Sequence, residues 1–258
     1  MDFQIFMQQF VNALSLGSLY ALIAIGYTMV YGILRLINFA HGDVFMIGGY
    51  LAFYAVTAFM MPWWVAVIAA IGMTTLFGMG LERVAYRPLR DSPRISIMIS
   101  AIGASFLIEN LAIVLFDARP KAFPVPDFFA STFVLGDVHI SMVSIIIPVV
   151  TAIILAALLW VIYRTKTGMA MRAVATDIDA ARLMAIDVNR IISFTFAIGS
   201  ALAAVGGIMW ALKYPRLEPL MGIMPGLKCF IAAVIGGIGS IAGAVLGGLL
   251  LGLIELMT

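Results

Sequence analysis

Residues 12–50, NALSLGSLYALIAIGYTMVYGILRLINFAHGDVFMIGGY, carry an apolar segment long enough to cross a membrane into the polar interruption Asn38-Phe39-Ala40-His41-Gly42-Asp43 and straight back into apolar sequence. Hydrocarbon offers no hydrogen-bond partners. A polar, glycine-containing break between two such runs therefore either reaches water at the membrane surface or lines a protein-walled cavity. Both alternatives describe a pathway.

The rest of the chain has the same character. Its 258 residues are 64% hydrophobic and 11% charged, against about 45–50% apolar and about 25% charged in soluble domains. At about 20 apolar residues per span, the runs at about 10–34, 44–61, 62–81, 95–116, 141–163, 191–212, 225–238 and 241–257 predict an all-α, polytopic transmembrane bundle of about eight spans. Some spans are short or broken, the last two especially, and residues 1–258 are expected to form one domain. The net charge of +2 is spread over loops, with no basic stripe interleaved with aromatics, which excludes nucleic acid as a partner. Cys229 is alone in an apolar run and reads as a core residue, with no disulfide and no cysteine metal site. The start, Met1-Asp2-Phe3-Gln4, lacks the positive n-region of a signal peptide, and no cleavage is expected.

Basic residues set the orientation. Arg83, Arg87, Arg90 and Arg94 fall in one connection, and Arg164, Lys166, Arg172, Arg182 and Arg190 in another, so the positive-inside rule makes both cytoplasmic. By parity the N-terminus is external, as are the Asp117 to His139 connection with Asp127 and Asp137, and the segment from Lys213 to Met224. The Asn38 to Asp43 break then faces inward.

Near the end, Gly239, Gly243 and Gly247 form an i, i+4, i+8 ladder, a spacing that lets helix backbones approach closely. Gly236-Gly237-Ile238-Gly239-Ser240 is too glycine-dense for packing alone and predicts a turn or an unwound stretch between two short helices. No Gly-Lys-Ser/Thr follows, so this is not a phosphate-binding loop, and the chain is not expected to hydrolyse nucleotide itself.

Residues 165–190, TKTGMAMRAVATDIDAARLMAIDVNR, form the longest inward-facing connection. Thr176 followed by Asp179 has the form of a capping box and predicts a helix over about 177–186, with Ile178, Ala181 and Ala185 along one side. Before it, residues 168–175 can form a short helix showing Met169, Met171 and Val174, and methionine suits an adaptable protein-binding surface. Two amphipathic helices lying on headgroups would carry the same basic residues. Asp177, Asp179 and Asp187 would be repelled by anionic lipid, which favours a protein partner.

Asp179-Ala180-Ala181, followed after three residues by Ala185, resembles the Glu-Ala-Ala-x-x-x-Gly loop through which membrane subunits of ATP-binding-cassette importers engage their ATPase subunits. Asp replaces Glu, and Ala185 stands where glycine is usual. Together with Ser15-Leu16-Gly17, Tyr20-Ala21-Leu22, the Asn38 to Gly42 signature and the Gly236 to Ser240 run, this makes the chain resemble branched-chain amino acid importer permeases of the high-affinity leucine/isoleucine/valine type over nearly its whole length. The resemblance implies a multi-pass permease of a bacterial inner membrane with no cofactor of its own. It further implies a second related permease, two ATPase subunits and a periplasmic amino-acid-binding protein as partners, with branched-chain amino acids moved inward by ATP-driven alternating access. Gly168, Met171, Arg172, Asp177, Asp179, Ala181 and Ala185 would form the coupling loop. Urea or short-amide permeases of the same superfamily share the Asn-x-Ala-His-Gly signature and are the nearest competing reading. Members of the family continue past the equivalent of Glu255 into a further hydrophobic stretch and a basic tail, so the C-terminal topology at Thr258 is expected to be incomplete.

Glu109 and Asn110 lie well inside an apolar run, where an ionisable residue costs at least about 2.5–3.5 kcal/mol unless it faces protein or water. They line a path or subunit interface, or else pack as hydrogen-bonded helix residues. Asn38, His41 and Asp43 beside Gly42 form a second polar cluster, expected to line a gate or path, although His41 could serve only to cap the helix break. An ion-coupled secondary transporter would need several mid-membrane carboxylates, whereas Glu109 and Glu255 are the only candidates. An intramembrane enzyme would need a convergent acid, base and nucleophile, which the sequence does not offer.

Overall fold

A computed structural model describes residues 3–90, 92–135 and 138–257. Expectations resting on Met1, Asp2, Asp137 and Thr258, and on the side chain of Arg94, lie outside the described residues. In chain order the helices are α1 (Phe3–Leu34), α2 (His41–Thr57), α3 (Trp63–Leu81), α4 (Arg94–Phe116), α5 (Asp127–Ala130), α6 (Met142–Arg164), α7 (Lys166–Thr176), α8 (Ile178–Leu183), α9 (Val188–Lys213), α10 (Ile223–Ile235) and α11 (Ile241–Met257). Every predicted apolar run falls on one of these. Among the described residues five helices, α1, α3, α4, α6 and α9, are long and apolar enough to cross a membrane. The others are shorter: α2 and α11 have 17 residues and α10 has 13, so they reach about 20–26 Å against a hydrocarbon core of about 30 Å.

α1 is the hub of the bundle, with 94% of its most apolar window buried, and α9 follows at 72%, whereas α4 is only 17% buried. Small residues make the hub possible. A Cβ added to Gly17 would lie 2.9 Å from the Leu249 Cα, and one added to Gly248 would strike Ala21, so α1 and α11 touch backbone to backbone. The expected glycine ladder divides its labour. Gly243 and Gly247 pack on Gly236 and Ala232 of α10, while Gly237 (φ +86°) and Gly239 (φ +99°) supply the left-handed backbone of the α10–α11 turn.

The molecule has two distinct polar ends. At one, Arg90 bonds Asn189 and Tyr86 bonds Asn38, and α7 packs beneath the C-terminal part of α1. At the other, the Gln8 amide bonds the His139 backbone in both directions, at 2.8 and 2.9 Å, beside the hairpin of β2 (Thr132–Leu135) and β3 (Val138–Ser141). Strand β1 (Lys121–Ala122) pairs with β4 (Arg216–Leu217), tying two connections together there. Both arginine-rich connections lie at the first end, in the parity the basic residues require. The segment after Lys213 does not remain wholly outside, however. Leu217 is fully buried under β1, and Gly222 reaches Gly42 inside the bundle.

Candidate functional site

The polar interruption is a re-entrant turn. After Leu34 the chain reverses through Arg35 (φ +52°), and α2 starts at His41, whose ring lies against Gly26. Gly26 is eight residues before the end of α1, so the His41 ring meets α1 about 12 Å from that end. Asn38, His41 and Asp43 are each no more than 4% exposed, so the polar side chains of the break are walled by protein, while Phe39 between them is exposed. Of the two alternatives open from the sequence, burial of these three side chains favours the protein-walled one.

α10 starts against the same point. A Cβ on Gly42 would lie 2.6 Å from the Gly222 carbonyl oxygen and 3.3 Å from the Gly226 Cα, so only bare backbone lets the two helix starts meet. α4 passes alongside with Ser105 and Glu109, four residues apart and hence on one helix face. Between α2, α4 and α10 lies a cleft of about 240 Å³, near the lower limit for small-molecule sites. Asp43, Ser105 and Glu109 give it a polar side, and Tyr27, Phe39 and Phe230 line its other flank. The Ser105 hydroxyl donates to the Asp43 carboxylate. No lysine, arginine or histidine lines the cleft among the described residues. Its chemistry suits a cation beside an aliphatic group. No group of three His, Cys, Asp or Glu side chains among the described residues could hold a metal.

The anticipated path residues therefore separate. Gly42, Asp43 and Glu109 come together on the cleft. His41 stands behind it, its ring 4.5 Å from that of Tyr27, with its Nε2 unpartnered among the described residues, and it supports Tyr27. Asn38 accepts a hydrogen bond from Tyr86 at 2.6 Å and anchors the re-entrant turn. Asn110 does not join the site. It is exposed and donates back to the Phe106 carbonyl of its own helix. Ser105, Tyr27 and Phe230 were not foreseen. The i, i+4 spacing of Ser105 and Glu109 is the signal that could have found the first.

The loop at the basic end folds as two short helices, with a different cap from the one expected. Asp177, not Thr176, caps α8, its Oδ1 accepting from the backbone of Asp179 at 2.9 Å and Ala180 at 3.0 Å. Thr176 instead ends α7 and bonds the Arg172 carbonyl. Met171 and Val174, expected at the surface, are buried against the bundle. Gly168 lets α7 press onto the last turn of α6, where a Cβ would strike the carbonyls of Val161 and Ile162. Ala181 is buried, while Met169, Leu183 and Met184 are exposed. Ala185 has φ +58°, so the left-handed turn usual for glycine is kept here by alanine.

One further group was missed. Glu82 is completely buried at the end of α3 and is held by Arg87 Nη2 at 3.1 Å, Arg90 Nη2 at 2.8 Å and Ser193 Oγ at 2.7 Å. It fastens the α3–α4 connection to the start of α9, directly after α8.

The family model described as branched-chain amino acid transport system, permease component, matches residues 9–258. The high-affinity branched-chain amino acid transport system permease protein BraD of Pseudomonas aeruginosa is 47% identical, covering 97% of this chain and 85% of that protein. LivH of Escherichia coli K12, the corresponding permease protein, is 44% identical, covering 100% and 87%. LivH of Methanocaldococcus jannaschii, described as probable, is 25% identical over 95% of this chain. A membrane bundle whose helix starts enclose a cleft, matched over nearly its whole length by such relatives, belongs to the branched-chain amino acid transport system permease family.

Proposed function

We propose that this chain is one membrane subunit of an ATP-driven importer and passes branched-chain amino acids inward through the cleft beside Asp43. The observation that carries the reading is the chemistry of that cleft. Asp43 and Glu109 offer negative charge to an α-ammonium group, and the aromatic and aliphatic walls accept a branched side chain. The cleft is small and has no described cation to clamp a carboxylate. Such a site suits transit better than retention, as cargo already selected by a separate binding protein requires.

α4 supports a second permease as partner. It places Glu109 and Asn110 in an apolar helix that is only 17% buried, a costly arrangement in lipid unless another membrane protein covers it. On the basic end, exposed Leu183 and Met184 of the 165–190 loop suit a soluble ATPase subunit. Movement of that loop would reach the bundle through Met171, Val174 and Ala181, which are packed into it.

The test is uptake of labelled leucine, and in parallel labelled urea, by cells lacking their own systems and supplied with this chain, its neighbouring permease, ATPase and binding-protein genes. Leucine entry that disappears with a hydrolysis-deficient ATPase is expected. Urea entry without leucine entry would refute the proposed cargo.

A further inference from the structure

A second cleft, separate from the proposed path, lies at the basic end. α6 and α11 both pack on α1 but not extensively on each other, leaving a groove of about 270 Å³. Thr28 and Gly32 of α1 form its floor, Leu159 and Ile241 stand on its sides, and Tyr163 and Arg172 lie at its polar end. Two of these groups lack a hydrogen-bond or ion-pair partner among the described residues. The Thr28 residue is 1% exposed, yet its hydroxyl has no hydrogen bond among the described residues. Arg172 is exposed, lies over the Tyr163 ring at 5.4 Å from its centroid, and pairs with no carboxylate among the described residues. The acidic residues of the same loop are engaged elsewhere: Asp177 and Asp187 cap α8 and α9, and Asp179 pairs with Arg182. None of them lines the groove.

We propose that this groove holds one anionic phospholipid from the leaflet at the basic end. A guanidinium binds phosphate through paired N–H donors, and tyrosine and arginine are the side chains that favour headgroup depth. Thr28 lies one turn deeper than Gly32, about 6 Å along α1. That is where a glycerol ester carbonyl accepts the hydroxyl left unmatched in the protein. The acyl chain runs on between α6 and α11, whose Trp160 and Leu246 are already exposed. A soluble anion would match Arg172 but leave the apolar length of the groove empty. Because Arg172 and Met171 of α7 line the groove together with α1 and α6, the lipid touches both the loop and the bundle.

The experiment is native mass spectrometry of the complete transporter in detergent, titrated with phosphatidylglycerol or with phosphatidylcholine bearing the same acyl chains. Phosphatidylglycerol is expected to be retained at least tenfold more tightly, at one molecule per copy of this chain. Arg172→Gln, an exposed change that leaves packing intact, should bring retention to the phosphatidylcholine level, and Thr28→Val should weaken it several-fold. Equal retention of the two lipids, or a preference unchanged by Arg172→Gln, overturns the proposal. So does displacement of the lipid by leucine, which would make the groove an amino-acid site.

Discussion

Replacing Asp43 with leucine abolishes leucine uptake while leaving the protein inserted in the membrane. Asp43 is 3% exposed, stands at the start of α2 and takes the Ser105 hydroxyl, so its carboxylate is held facing the cleft. If it meets the α-ammonium of the cargo, removing it deletes one partner of a desolvated charge pair, a loss of about 2–5 kcal/mol. At about 1.4 kcal/mol per tenfold, this lowers uptake at limiting leucine by roughly 30-fold or more. A competing effect is much smaller: loss of a negative charge at a helix N-terminus costs only about 0.3–1 kcal/mol. Asp43→Asn separates the loss of charge from the loss of shape and of the Ser105 hydrogen bond, since an amide oxygen still accepts from Ser105 but carries no charge. Uptake by Asp43→Asn should stay close to that of Asp43→Leu, with membrane abundance unchanged on immunoblot. Near-normal uptake by Asp43→Asn would assign the residue to packing.

Replacing Glu82 with alanine has the largest effect on stability. The carboxylate is fully buried and receives two arginines and a serine; Arg90 is itself only 11% exposed. Breaking such a group by removing one partner costs about 3–5 kcal/mol, because the remaining charges are left without compensation. The pair Arg182–Asp179 is the internal control, with side chains 52% and 88% exposed, and exposed pairs of this kind contribute about 0–1 kcal/mol. Thermal unfolding of the purified complex should therefore shift strongly for Glu82→Ala and scarcely for Asp179→Ala. Equal shifts would mean that Glu82 does not hold the α3–α4 connection to α9.

Legibility in the sequence followed the strength of the local signal. Long apolar runs can be nothing but helices in lipid, so their number and order were clear, and so was the glycine turn at 236–240. The re-entrant turn was visible as a polar interruption. Its depth was not, because the choice between water and protein walls depends on Gly26, Gly222 and Gly226, which are remote in sequence from Gly42. Glu82 was hidden among arginines that read as a surface loop. Its partners are at i+5 and i+8, and a π turn over Glu82–Tyr86 helps bring Arg87 alongside, which a spacing of 3.6 does not suggest. In the 165–190 loop the helices were legible but their facing was not. Periodicity alone does not say whether Met171 points at a partner or into its own bundle. Thr176 and Asp177 are adjacent cap formers, and Thr176 is taken up in the last turn of α7, where it bonds the Arg172 carbonyl, which leaves the cap to Asp177.

The central claim is that the cleft beside Asp43 is a passage open alternately to the two sides of the membrane. Cys229 is the chain's single cysteine and is fully buried, so a cysteine placed at Ile102, on the cleft wall, can be probed against a Cys229→Ala background. The decisive measurement is its labelling by a membrane-impermeant maleimide in right-side-out and inverted vesicles, with the complete transporter either at rest or trapped with ATP and vanadate. The account predicts that the reactive side switches on trapping. Labelling from one side in both states, or from neither, would contradict it.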